Sequence, residues 1–267
     1  MSGEREHDPY GTAEPYISPA AIEAVRAAEW VTVFSGAGMS AESGIPTFRD
    51  AQTGLWERFD PAQLATPEAW SGDPALVWGW YQWRARLVRD TEPNAGHRAL
   101  TALAADRSVL VVTQNVDDLH ERAGNEVVAH LHGSLFAPRC SHCETPYRGV
   151  DADPDNAVEQ VRVEPPTCPI CLSPVRPGVV WFGEALPGDA WTRAEQAIAA
   201  AQVVIVVGTS GIVYPAASLP ERAAGAGIPV IEVNPVASAL DDVVAHRIAA
   251  PAGVGLPALV RAVAERP

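Results

Sequence analysis

The feature that most constrains this chain is a set of short, nearly unbroken apolar runs that end at small or polar turns. Val31–Phe34 leads into Gly36-Ala37-Gly38, Val109–Thr113 into Gln114-Asn115-Val116-Asp117, and Val203–Val207 into Gly208-Thr209-Ser210. Runs of Val, Leu and Ile without polar alternation read as strands buried on both faces. Further strands are expected at Val127–Leu131, Val179–Phe182 and Pro229–Val233. Between them the pattern predicts helices: one opened by Ser18-Pro19 with Ile22, Val25 and Ala28 inward, one from Ala95 to Asp106, and a last over Gly255–Glu265. Strands alternating with helices argue for an α/β fold with a doubly wound, Rossmann-like parallel sheet.

In open sheets of this kind, ligands bind beyond the carboxyl ends of the strands. Gly36-Ala37-Gly38 would let bare backbone N–H groups and the start of a helix meet a phosphate, with Ser40 close behind. A dinucleotide fingerprint would put a third glycine three residues after Gly38, where Ala41 stands. The continuation Ser43-Gly44-Ile45-Pro46-Thr47-Phe48-Arg49-Asp50 has no evident packing purpose and needs another explanation.

Two stretches depart from the alternation. Residues 53–92 read as helical and Trp-rich, with Thr66-Pro67 and Asp73-Pro74 as helix starts. Between Leu135 and Val175 the apolar pattern fails, and Cys140-x2-Cys143 and Cys168-x2-Cys171 appear 24 residues apart. Two such knuckles place four thiolates around a zinc ion, a closed ligand set that leaves no open position for water. They use all the cysteines of the chain. The expected organisation is a flexible tail (1–17), a Rossmann-like domain (18–52, 95–134 and 176–267) and a small helical and zinc-binding domain (53–94 and 135–175).

A chain of 267 residues that is 47% hydrophobic can bury a sizeable core. Its net charge of -14 argues against a nucleic-acid surface, and no apolar run nears the ~18 residues of a membrane span. A cytoplasmic, monomeric protein is expected. All 19 basic residues are Arg; without Lys, the side chains cannot carry acyl-lysine modifications.

Together these motifs resemble the sirtuins, the NAD-dependent protein-lysine deacylases. The carrying residues are Gly36-Ala37-Gly38-Met39-Ser40 through Phe48-Arg49-Asp50, Thr113-Gln114-Asn115-Val116-Asp117, Leu131-His132-Gly133-Ser134, the four cysteines, Pro177 to Glu184, Gly208-Thr209-Ser210 and Val233-Asn234-Pro235. They occur in the family's order over roughly residues 20–265. The resemblance implies that NAD is consumed, nicotinamide is released, and the acyl group passes to ADP-ribose. It also implies one structural zinc and acyl-lysine proteins bound as extended peptides. His132 would be the base, since imidazole titrates near working pH; Gly133 would let substrate approach it, and His130 is expected to face away. Asn115, with Gln114, Val116 and Asp117, would serve ribose and nicotinamide. Gly36, Ala37, Gly38, Ser40, Thr47, Phe48 and Arg49 would hold the pyrophosphate and cover the nicotinamide end. Gly208, Thr209, Ser210, Asn234, Pro235, Val236 and Ala252 would meet the adenosine half; the family often has a charged residue where Pro235 stands. Val179, Val180, Phe182, Gly183 and Glu184 would pair with the peptide as an added strand.

Tyr81 and Arg84, three apart on one helix, share a face. Trp80-Tyr81-Gln82-Trp83-Arg84 resembles the sirtuin branch acting on succinyl- and malonyl-lysine, where Tyr and Arg hold the acyl carboxylate and a small residue, here Ala65, leaves room for the longer chain. Deacetylation would be retained. A plain deacetylase and a protein mono-ADP-ribosyltransferase are the alternative readings.

Overall fold

The computed structural model describes residues 14–46, 60–148 and 161–265. Among these the strands are β1 (Trp30–Ser35), β2 (Ser108–Thr113), β3 (Glu126–His130), β4 (Arg139–Cys140), β5 (Val175–Arg176), β6 (Val203–Val207), β7 (Val230–Val233) and β8 (His246–Ile248). The helices are α1 (Pro19–Ala27), α2 (Gly38–Ala41), α3 (Pro61–Leu64), α4 (Pro67–Gly72), α5 (Pro74–Arg89), α6 (Ala95–Leu103), α7 (Leu119–Arg122), α8 (Gly188–Ala200), α9 (Ser218–Gly225) and α10 (Ala252–Ala264).

Six strands form one parallel sheet in the order β3-β2-β1-β6-β7-β8. From β1 the chain builds outward to β3, then returns to the other side of β1 and builds outward again through β6. The winding therefore reverses between β1 and β6, opening a crevice beyond their carboxyl ends. Side chains alternate between two cores. Val31 and Val33 of β1, with Val203, Ile205 and Val207 of β6, face α1, α6 and α10. Phe34, Val204 and Val206 face α8 and α9. Both faces are covered, which is why the strands carry no polar alternation.

Four helices begin with an acceptor side chain followed by proline: Ser18, Asp60, Thr66 and Asp73 each accept from a first-turn amide. Such a cap contributes about 1 kcal/mol, and proline at the first position forfeits an N–H that has no helical partner. Helices α3–α5 build a smaller lobe in which Leu64, Val77, Trp80, Tyr81 and Val88 pack with Leu135, Val179 and Trp181. A two-stranded antiparallel ribbon, β4 with β5, carries the cysteines and packs on Trp78.

Several expectations change. Val179–Phe182 is not a strand: Val179 makes a single bridge to Gly133, because the segment is fastened between two turns rather than laid along a neighbour. The 53–92 stretch is, where described, three successive helices, two of which start at Thr66-Pro67 and Asp73-Pro74 as expected. The last helix starts at Ala252, three residues before Gly255. Before α1, Ile17 packs on the core and the exposed Glu14 pairs with Arg261 at 3.0 Å. Among the described residues no helix is long and apolar enough to cross a membrane.

Candidate active site

The crevice at the winding reversal is floored by backbone. The Gly36 amide donates to the Val207 carbonyl (2.9 Å), Gly38 to Gly208 (2.8 Å), and Gly208 to Val233 (3.2 Å). Gly208 has φ +58°, and a Cβ there would lie 2.3 Å from the Met39 nitrogen; only glycine lets these two turns touch. Among the described residues the amides of Ala37, Thr209 and Ser210 have no hydrogen-bond acceptor. Thr209 is tied in from both sides: its hydroxyl accepts from Gln114 Nε2 (3.0 Å) and its carbonyl from Asn234 Nδ2 (2.9 Å). Pro235 and Val236 follow at the exposed rim, while Ala252 is buried where α10 begins.

On the β2 side, Asn115 Nδ2 donates to Ser40 Oγ (3.2 Å), which donates to Asp117 Oδ2 (3.0 Å); the other Asp117 oxygen caps the Leu119 amide (3.1 Å). Asn115, Asp117 and Ser40 are all buried, and burial raises the Asp117 carboxyl above its ordinary value. Val116 joins the small lobe's core, its carbonyl accepting the Leu135 amide at 2.9 Å.

His132 lies just past β3. Its Nδ1 is 3.1 Å from the Gln114 carbonyl, which can only accept, so Nδ1 carries the proton and Nε2 is left as a lone pair. Burial lowers its pKa, against the opposing pull of that carbonyl. His130 does not face away: residues two apart along a strand share a face, and its Nδ1 meets the next carbonyl, that of Asn115, at 3.0 Å. Gly133 has φ +74°, and what approaches it is the protein's own backbone; a Cβ there would lie 2.1 Å from the Gly178 carbonyl oxygen.

The 178–184 segment is stitched to both walls. Ser134 donates to Gly178 (3.0 Å), Val180 to His132 (2.9 Å) and Phe182 to Ala65 (3.0 Å). Val179 is buried, whereas Phe182 and Gly183 are exposed. Glu184 turns inward, its oxygens taken by Arg176 (2.6 and 2.9 Å) and the Trp181 amide (2.8 Å). Beside it, Tyr81 is buried against Ala65 and Trp181. The Arg84 guanidinium lies 5.0 Å from the Trp80 ring centroid and 5.9 Å from that of Tyr81. It forms no salt bridge among the described residues and lines one small cleft with Ile45, Pro46, Val116, Leu135 and Asp117, whose charge acts on it from across the cleft. Arg84 thus shares a cleft with Val116 and Asp117 of the turn after β2.

The cysteine sulfurs of Cys140, Cys143, Cys168 and Cys171 all lie within 4.8 Å of one another and form no disulfide. Separations of 3.3 Å (Cys140–Cys171), 3.5 Å (Cys143–Cys171) and 3.7 Å (Cys143–Cys168) approach the edge of about 3.8 Å that a tetrahedron of Zn–S bonds near 2.3 Å requires. The amides of His142 and Cys143 both point at Cys140 Sγ (3.4 Å), as they would toward a thiolate.

The structure therefore gathers Gly36, Ala37, Gly38, Ser40, Gln114, Asn115, Asp117, His132, Gly208, Thr209, Ser210 and Asn234 around one crevice. Thr47, Phe48 and Arg49 lie outside the described residues. Arg176, and Trp181 as a partner of Tyr81, go unremarked in the sequence because nothing in a linear pattern shows an indole N–H meeting a tyrosine 100 residues away.

Residues 36–215 match the model of the Sir2 family. An NAD-dependent protein deacylase of Methylococcus capsulatus is 52% identical over 242 residues, 90% of this chain and 95% of that protein. A Sir2 homologue solved with NAD superposes with a TM-score of 0.83 at 40% identity, covering 96% of this chain and 97% of the other. A Sir2 variant solved with a deacetylated p53 peptide and 3′-O-acetyl ADP ribose gives 0.71 at 28% identity, over 91% and 95%. With the glycine-floored crevice, the His132 turn and the four-cysteine ribbon in one frame, this chain belongs to the Sir2, or sirtuin, family.

Proposed function

We propose that this protein is an NAD-dependent protein-lysine deacylase that removes succinyl and malonyl groups and retains deacetylase activity. NAD fits the crevice: the amides of Ala37, Thr209 and Ser210 are free to bind phosphate oxygens, and Asn234 lies where a ribose would be held. Zinc fits the four thiolates as a structural ion. When bound, NAD supplies the nicotinamide–ribose bond that breaks and the ribose hydroxyl that receives the acyl group. His132 takes the proton of a ribose hydroxyl at Nε2, and the Gln114 carbonyl holds the ring in the tautomer that makes this work. Asn115 and Asp117, cross-linked through Ser40, position the reacting ribose and nicotinamide. The lower rim, at Val179, Val180, Phe182 and Gly183, adds an edge for an extended peptide, with Phe182 exposed toward it.

The observation that carries the acyl preference is Arg84, a half-buried cation beside Tyr81 that feels the Asp117 charge but forms no salt bridge with a carboxylate among the described residues. An acyl carboxylate would complete it, and Ala65 leaves room for the chain. The test is turnover of one peptide bearing acetyl-, malonyl- or succinyl-lysine by wild type and Arg84→Met. The variant should lose about 2–5 kcal/mol of binding to the acidic acyl forms, with acetyl turnover little changed. Unaltered succinyl-lysine turnover in Arg84→Met would refute the assignment. Nicotinamide release with O-acyl-ADP-ribose and without labelled protein excludes ADP-ribosyl transfer to protein.

A further inference from the structure

Tyr81 Oη accepts a hydrogen bond from Trp181 Nε1 at 3.1 Å. An indole nitrogen is a donor only, so the direction of this bond is fixed and the tyrosine must keep its own proton for another acceptor. Burial pushes the Tyr81 pKa up to about 12, so the proton stays on the oxygen. Among the described residues nothing accepts it.

Trp181 is itself clamped. The Arg176 guanidinium stacks on its ring, 3.5 Å from the centroid. Arg176 is bidentate to Glu184 (2.6 and 2.9 Å), and Glu184 also accepts the Trp181 amide (2.8 Å). Arg176 further donates to the Val179 carbonyl (3.3 Å), and the Trp70 ring lies tilted 5.7 Å from that of Trp181. Both charged side chains of the pair are largely withdrawn from water, at 9% and 22% exposure, so the clamp is stiff rather than solvent-averaged.

We propose that Trp181, held by the Arg176–Glu184 pair, is a positioning residue that sets acyl selectivity: by occupying the Tyr81 hydroxyl as donor, it aims the tyrosine proton at the acyl carboxylate. This rests on the acidic-acyl reading of Tyr81 and Arg84. Trp181 is buried (2% exposed) with its one polar side-chain atom on the Tyr81 hydroxyl, so its effect is confined to acyl groups that end in an acceptor.

The test is Trp181→Phe in the full chain, compared with wild type, Arg84→Met, Tyr81→Phe and the Tyr81→Phe/Trp181→Phe pair, on one peptide bearing acetyl- or succinyl-lysine. Trp181→Phe should raise KM for the succinyl peptide about ten-fold, leave kcat within about two-fold, and leave acetyl-lysine kinetics within about two-fold. In the Tyr81→Phe background it should add nothing, because the hydroxyl it orients is gone. Arg176→Lys keeps the charge but loses the stack and the fork; it should shift the succinyl-to-acetyl ratio in the same direction, and it carries the test should Trp181→Phe not fold. An unchanged ratio in Trp181→Phe with a lowered ratio in Arg84→Met overturns the proposal and leaves the acidic-acyl reading standing. An unchanged ratio in both overturns the two together. A loss equal for both acyl groups, or additive with Tyr81→Phe, shows that Trp181 acts only as packing and likewise overturns it.

Discussion

His130 and His132 accept no common role although both bond to adjacent carbonyls of one turn. His130 has the Asn115 carbonyl at one nitrogen and the Glu121 carboxylate at the other (2.6 Å), so both nitrogens call for protons. Burial alone would lower its pKa, but Glu121 and the carbonyl outweigh it and the net shift is upward. His132 has only the Gln114 carbonyl, and burial takes its pKa downward. It is therefore neutral and able to act as a base at neutral pH. The kcat/KM profile for acyl-peptide should be flat there and fall only below about pH 6.5, the ordinary imidazole value; an acidic limb above pH 7 would contradict this. His97 shows the stability side of the same physics. It is buried, caps α6 reciprocally with Asn94, and is held down to about 4, first by burial and then by Arg98. In the unfolded chain it takes up a proton near pH 6.5 that the native state refuses. Its contribution is thus full above that pH and declines as pH falls toward 4. Between pH 7 and 5, urea unfolding of wild type should lose about 2 kcal/mol more than that of His97→Gln. Equal losses would mean that His97 titrates in the fold.

At the scale of elements, the carboxyl ends of β1 and β6 work as one unit because their turns meet backbone to backbone. Gly208→Ala would force a left-handed φ on alanine, at a cost of about 1 kcal/mol, and drive its Cβ into Met39 and Gly38. The Gly36–Met39 turn would have to move. The expected outcome is a KM for NAD raised at least about ten-fold with a smaller loss of Tm; kinetics and a thermal melt decide it, and an unchanged KM would detach this turn from the cofactor site. The central strands are legible because burial on both faces leaves β6 apolar at every position and β1 apolar except at Thr32 and Ser35, whose hydroxyls are hydrogen-bonded. α8 escapes an apolar reading because Ala190, Ala194 and Ala197 fill its buried face, and alanine signals neither core nor surface. Val179–Phe182 misleads for the converse reason: its apolar residues serve a loop pinned by His132 and Ala65 rather than a ladder.

At the scale of the molecule, the lobe that holds Tyr81 and Arg84 is joined to the main sheet through the His132–Leu135 and 176–184 segments, and its ribbon has little apolar core of its own. Cys140, Cys168, Val175 and Trp78 are its buried members. A metal must then supply much of its stability. The purified protein should carry one zinc per chain, and chelation should lower Tm and acyl-peptide turnover together; native protein free of zinc by metal analysis, with an unchanged melt, would contradict this. The composition of the runs, the glycine turns that follow them and the cysteine spacing are local properties, so the sequence by itself determined the doubly wound sheet, the crevice-lining turns and the four-thiolate cluster. Which histidine keeps a free nitrogen, what closes on Gly133, and how Trp181 orients Tyr81 depend on segments distant along the chain meeting at hydrogen-bond distance. These follow from the folded arrangement, because a donor's partner is set by three-dimensional proximity and by burial, and neither is written in the residues on either side of it.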